Sequence, residues 1–220
     1  MSATLFLTLG VPLIIIFYVI KSDKFQEPGS LILKTFFVGV LLCIPAAELN
    51  YFLIPTEEFV FMAGFTEESL KFIALYFYIK PKKNFNEPMD AIVYGTIISL
   101  GFASLENITY VYTSIPEVEP LSIAILRALT AIPMHATCGI LMGYYFGMHA
   151  FRGGNINLAK SLMIPMVFHG TYNFLAGNSL ILMFLFLVIM ISFARNLHKQ
   201  LIFLQNRKSN EEEKKLLWEI

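Results

Sequence analysis

The 220 residues are 56% hydrophobic and only 15% charged, where an ordinary soluble domain carries about a quarter charged residues. Too few polar residues are present to cover a soluble protein of this size, and the apolar ones fall in long runs. Sixteen basic and sixteen acidic residues cancel, so no charge excess is available for recognising nucleic acid and no nucleic-acid partner is expected.

In chain order the apolar runs predict seven membrane-spanning helices, over 3–20, 31–53, 59–79, 91–112, 121–147, 158–176 and 180–193. Several meet the roughly 17 to 25 residues that a helix needs to cross the hydrocarbon core. The first run has no basic flank before it and no small-residue cleavage site, so it is read as a span and not as a signal peptide. The last is short and continues amphipathically through Leu197 and Leu201. The expected fold class is an all-α polytopic transmembrane bundle. Residues 1–195 form its membrane domain and 196–220 a tail of basic and mixed charge.

Charge alternates between the connections. Lys21, Lys24 and Lys34 surround the first, Lys80, Lys82 and Lys83 the third, and Arg152 and Lys160 the fifth. The tail adds Arg195, Lys199, Arg207, Lys208, Lys214 and Lys215. The second, fourth and sixth connections have no lysine or arginine, and Glu57, Glu58, Glu117 and Glu119 occupy the second and fourth. Basic loops stay in the cytoplasm, which predicts an outside N-terminus and a cytoplasmic C-terminus.

Charged side chains at bilayer depth cost several kcal/mol and call for a reason. The third span holds Glu67, Glu68 and Lys71, the fourth Glu106 and Asn107, the fifth Arg127 and His135, and the sixth His169 and Asn173. At about 1.5 Å per residue, Glu67, Glu68, Glu106 and His169 lie roughly 10 to 14 Å below the outer helix ends, with His135 deeper. Four spans of alternating direction thus place these groups in the outer half of the bilayer or near its middle, which predicts one shared polar cavity. Lys71 lies three and four residues after the glutamates and can neutralise either.

Structural readings compete with this one. Thr66 could cap a helix that begins there, with the glutamates in its first turn. Arg127 could serve as an ion-pair partner of Glu106. Gly139, Gly143 and Gly147 share one helix face and are read as a packing stripe. Cys43 and Cys138 are read as small hydrophobes, and His149 and His198 as interfacial residues. Among functions, two histidines and two carboxylates could bind zinc, although no His-Glu-x-x-His pair is present. A proton-coupled transporter would use the same residue types, but the two halves show no inverted repeat. A glutamate-dependent peptidase needs a base for water, an acid for the leaving amine and oxyanion donors. Glu67 or Glu68 with Glu106, His169 and Asn173 supplies all three without metal or other cofactor, with His135 orienting one of them.

The run Glu67-Glu68-x-x-Lys71, then Phe102-x-x-x-Glu106-Asn107, then His135 and His169, in order on successive spans, resembles the PrsW-type membrane protease family. This family is related to the glutamic CAAX-processing endopeptidases. The resemblance covers most of the chain, from Asp23–Pro28 through His169–Asn173. It puts the paired glutamates at Glu67 and Glu68, the second-motif glutamate at Glu106 and the last-motif histidine at His169. The PrsW-type pattern has Asp four residues after that histidine. This chain has Asn173, as the CAAX-processing relatives do, which keeps oxyanion donation open and leaves a charged role unsupported. The resemblance implies a bacterial cell-membrane protease whose partner is a single-pass membrane substrate, an anti-sigma factor. It would make the first, extracytoplasmic-side cut.

Overall fold

The structure is a computed structural model that describes residues 3–113 and 118–218, with side chains described through Arg207. Glu117 and the tail charges from Lys208 onward lie outside the described residues or side chains. The described backbone contains no strand. Helix α1 is Ala3–Ser22, α2 Gly29–Leu53, and α3 Met62–Ala74, continued by a wide turn over Leu75–Ile79. Helix α4 is Pro88–Thr113, α5 Pro120–Leu129, α6 Ala131–Arg152, α7 Asn155–Asn178 and α8 Leu180–Trp218.

These helices follow the seven expected runs, with one correction. The fifth run is broken at Thr130 (φ −127°, ψ −71°) into α5 and α6. Pro133 explains the break: it lacks an N–H and is accommodated in the first turn of α6, but a helix passing continuously through it would lose a hydrogen bond. At the other end the last helix runs on without interruption from the apolar segment into the tail.

Helix α4 forms the axis of the bundle. Every residue from 89 to 104 is buried, as a helix enclosed on all sides requires, and α2 and α6 pack most extensively against it. The glycine stripe of α6 makes this approach possible. A Cβ at Gly143 would collide with the backbone of Ala91 and Ile92, and one at Gly139 would lie 2.7 Å from the Gly95 carbonyl oxygen. We expect Gly143→Val to destabilise the protein by about 1–3 kcal/mol, the usual range for overpacking. Gly29→Ala, where an added Cβ meets nothing within 4 Å, should leave thermal unfolding in detergent unchanged.

The outer helices have the opposite character. Phe17 on α1, Leu41 on α2 and Ile181 and Val188 on α8 are all well exposed, and apolar faces of this extent suit lipid. Among the described residues, five segments are long and apolar enough to cross a membrane: α1, α2, α4, α5 with α6, and α8. The two that fall short, α3 and α7, are those carrying Glu67, Glu68, Lys71, His169 and Asn173. Their polar groups face the interior of the bundle and the cavity within it, not the lipid-suited outer surface. His198, expected at the aqueous interface, is instead buried between α8 and α1, where its Nε2 lies 2.9 Å from the Ser22 hydroxyl.

Candidate active site

The glutamate pair sits in the second turn of α3. Thr66 does not cap this helix, which already begins at Met62; its hydroxyl donates to the Asn50 side-chain oxygen, with the Ala63 carbonyl 3.1 Å away. Opposite stands α7, brought near by a glycine crossing. A Cβ at Gly64 would lie 2.6 Å from the Met166 carbonyl, and one at Gly170 would lie 2.8 Å from the Phe61 carbonyl. Small residues at a crossing let two backbones meet, and here they set His169 directly against the glutamates.

Glu68 is fully buried. Its Oε1 accepts from Lys71 Nζ at 2.7 Å and from His169 Nδ1 at 2.9 Å. The Lys71 ammonium also reaches His135 Nδ1 at 3.2 Å, stands 3.6 Å from Glu67 Oε2, and lies 4.2 Å from the centre of the Phe102 ring. An ammonium has only donors, so His135 Nδ1 is an acceptor and its Nε2–H donates to Glu106 Oε2 at 3.0 Å. Glu106 is paired in turn with Arg127, whose Nε donates to Asn107 at 2.6 Å and whose guanidinium lies over the Tyr110 ring. A continuous chain of charged and polar contacts thus runs from Arg127 through Glu106, His135 and Lys71 to Glu68 and His169.

A cavity of about 710 Å³ opens beside this chain, lined by Glu67, Glu106, Arg127, His135, His169 and Asn173 among others. It extends from Glu57 and Gly177, next to the second and sixth connections, down to Glu67 and His135. That end of the molecule has no lysine or arginine in its connections. Neither Glu68 nor Lys71 lines the cavity.

Of the residues expected to act together, Glu67, Glu68, Lys71, Glu106, His135 and His169 form one connected cluster. Asn173 lines the same cavity, half-buried, next to the cluster and not within its hydrogen-bond network. Reasoning from the sequence missed Asn50, whose side-chain amide donates to Glu67 Oε1 at 3.3 Å. The signal was an amide side chain in an apolar span. It also missed Cys43, read as a packing residue, which lines the cavity.

The same donors could hold a divalent cation. Glu67, Glu68, His135 and His169 each offer an atom within 4.8 Å of the others. Glu67 Oε2 and Glu68 Oε2 are buried without a hydrogen-bond partner. Since His135 Nδ1 is taken by Lys71 and His169 Nδ1 by Glu68, those two oxygens and His169 Nε2 are the atoms left available. Two carboxylates and one imidazole form a donor set suited to a zinc ion that keeps one position open.

Comparison with known proteins shows the family. The family described as PrsW family intramembrane metalloprotease matches residues 27–195. Protease PrsW of Bacillus subtilis (strain 168) is 36% identical over 176 residues, covering 76% of this chain and 78% of that protein. Protease PrsW of Geobacillus kaustophilus (strain HTA426) is 37% identical over 175 residues, covering 76% and 75%. Protease PrsW of Clostridioides difficile (strain 630) is 29% identical over 191 residues, covering 80% of each. No solved structure matches the chain.

Proposed function

We propose, because the chain belongs to the PrsW family of intramembrane proteases, that it cuts a single-pass membrane protein near the outer face by means of a Glu67-activated water. An anti-sigma factor is the substrate class that the family resemblance implies. The observation that carries this reading is the different placement of the two glutamates. Glu67 lines the cavity, whereas Glu68 lies behind it, held by Lys71 and His169, although each carboxylate keeps one oxygen without a hydrogen-bond partner. A base must reach the proton that it removes, and the position of Glu67 in the cavity lining supports it, rather than Glu68, as that base.

In the proposed reaction, Glu67 takes a proton from water as the oxygen attacks the scissile carbonyl, then returns it to the leaving amine. Asn173 lines the cavity where the oxyanion would develop and its amide supplies a donor to it, while His169, whose Nδ1–H is given to Glu68, lines the same cavity. Glu106, held by Arg127, fixes the His135 ring, and Lys71 holds Glu68 in place. Helical substrates hide their carbonyls in backbone hydrogen bonds, so cleavage requires local unwinding, which is cheapest near an aqueous interface. A cavity reaching toward the connections that lack basic residues supports a cut on the outer side.

The unpartnered oxygens of Glu67 and Glu68 and the family's description favour a second reading, in which Glu67, Glu68 and His169 hold a metal ion. Such an ion would acidify a bound water and polarise the carbonyl. Co-expression with tagged single-pass anti-sigma factors, followed by cleavage in detergent with and without chelator, separates the readings. Chelator-resistant cleavage by protein free of zinc supports the glutamate base. Loss on chelation with recovery on adding zinc supports the metal. No cleavage of any panel member would remove the anti-sigma assignment.

Arg127 offers a test at the far end of the chain of contacts. Arg127→Gln should lower cleavage about tenfold to a hundredfold, the equivalent of one charge-assisted hydrogen bond of about 1.5–3 kcal/mol. Arg127→Lys should recover part of the loss. Equal rates for all three proteins would show that Glu106 needs no cation to hold His135.

A further inference from the structure

A second group of carboxylates gathers at the opposite end of the bundle, on the side of the basic connections. Asp23 and Glu27 come from the segment between α1 and α2, Glu87 from the segment before α4, and Asp90 from the first turn of α4. Asp23, Glu87 and Asp90 each present an oxygen within 4.8 Å of the others. Ordinary structural roles account for only part of this group. Asp90 Oδ2 accepts the backbone N–H groups of Asn86 at 2.7 Å and Glu87 at 2.8 Å, as a residue capping α4 would. Asp23 Oδ1 accepts from the Phe25 N–H at 3.0 Å. The Gln205 amide of α8 bridges Asp23 Oδ1 at 2.8 Å and Glu87 Oε1 at 2.6 Å, and the Tyr94 hydroxyl donates to Glu27.

What remains is unexplained by capping or turns. Asp23 and Asp90 are 3% and 1% exposed, yet Asp23 Oδ2 and Asp90 Oδ1 have no hydrogen-bond partner. Two buried unpartnered carboxylate oxygens, within a group of acidic side chains from two loops and a helix start, call for a positive counterpart. We infer that Asp23, Glu87 and Asp90, with Glu27 alongside, form a binding site for a hard divalent cation of the calcium or magnesium class. Every donor is an oxygen, which is the preference of such ions. The spacing suits one ion, since ligands on opposite sides of a calcium ion at about 2.4 Å lie about 4.8 Å apart.

The place of the site gives the ion a role. It joins the segment linking α1 to α2, the start of α4 and, through Gln205, helix α8. Helix α4 then runs sixteen residues from Asp90 to Glu106, about 24 Å along a single rod. A cation here ties the basic-side ends of α2 and α4, two of the helices that line the cavity, to α1 and α8, without touching the cavity itself.

Terbium luminescence tests the inference, because the ion is a hard, oxygen-seeking probe and Tyr94 stands beside the site as a sensitiser. The purified full chain in detergent is titrated with terbium alone, then with calcium or magnesium in competition. Wild type and Glu68→Gln should both give a saturable signal that calcium or magnesium displaces. Asp23→Asn, which preserves side-chain shape, should weaken binding about tenfold or more, and Asp90→Asn should do the same. Calcium should raise the unfolding temperature of wild type and not that of Asp23→Asn. Absence of a saturable signal in wild type overturns the proposal and leaves these carboxyls sharing protons. A signal lost in Glu68→Gln but kept in both aspartate variants also overturns it, because the ion would then sit among the proteolytic residues.

Discussion

Glu67→Gln should reduce cleavage by about 10²–10⁴-fold, the usual contribution of a positioned general base, while thermal unfolding in detergent stays at or above the wild-type temperature. The reasoning rests on what surrounds each oxygen. Glu67 Oε1 accepts from Asn50 at 3.3 Å, and Oε2 has no hydrogen-bond partner. A neutral amide of the same shape removes a buried charge, whose burial opposes folding, and leaves the Lys71–Glu68–His169 contacts in place. Glu68→Gln should behave differently. Its carboxylate accepts from both Lys71 and His169, so the amide should lower both activity and unfolding temperature. The two variants therefore distinguish a residue that acts on water from one that positions its neighbours. If both variants lose activity, keep their stability and lose stoichiometric zinc by elemental analysis, the pair are metal ligands. If Glu67→Gln cleaves like wild type, Glu67 is not the base.

Much of this arrangement was legible because a bilayer makes polar groups conspicuous. Glu67, Glu68, Lys71, Glu106, His135 and His169 stand out in apolar runs, and the expectation of a common depth came from counting residues along helices whose direction was inferred from loop charge. The helix order followed from the same runs. Other features depend on contacts between segments far apart in the chain. Nothing near Asn50 indicates that its amide meets Glu67 on another helix, and nothing near Asp23 announces Asp90 sixty-seven residues later. The break at Thr130 did have a local signal in Pro133. It was obscured because the apolar run continues through it, and hydropathy does not register a missing N–H. His198 was misplaced for a related reason: a histidine at the end of an apolar segment looks interfacial until a neighbouring helix covers it.

The other large effect belongs to Lys71. Lys71→Met should destabilise the protein by about 3–5 kcal/mol, the typical cost of removing one partner from a buried ion pair, and cleavage should fall with the folded population. Lys71 is fully buried and does not line the cavity. Its ammonium faces Glu68, His135, Glu67 and the Phe102 ring, which leaves it no route to a substrate. Without it, Glu68 retains one imidazole and no permanent cation, and the acceptor at His135 Nδ1 loses its donor. The double variant Lys71→Met with Glu68→Gln removes the orphaned charge along with its partner. It should recover a large part of the lost stability, so that the double-mutant cycle gives a strong favourable coupling between the two residues. Cleavage should not return in the double variant, because His169 still lacks its carboxylate. Recovered stability without recovered activity would identify Lys71 as the group that holds the site together and Glu68 as the group that orients His169. Unchanged stability in Lys71→Met with abolished cleavage would instead mean that the lysine acts on the substrate, and the cavity would have to open further than it does here.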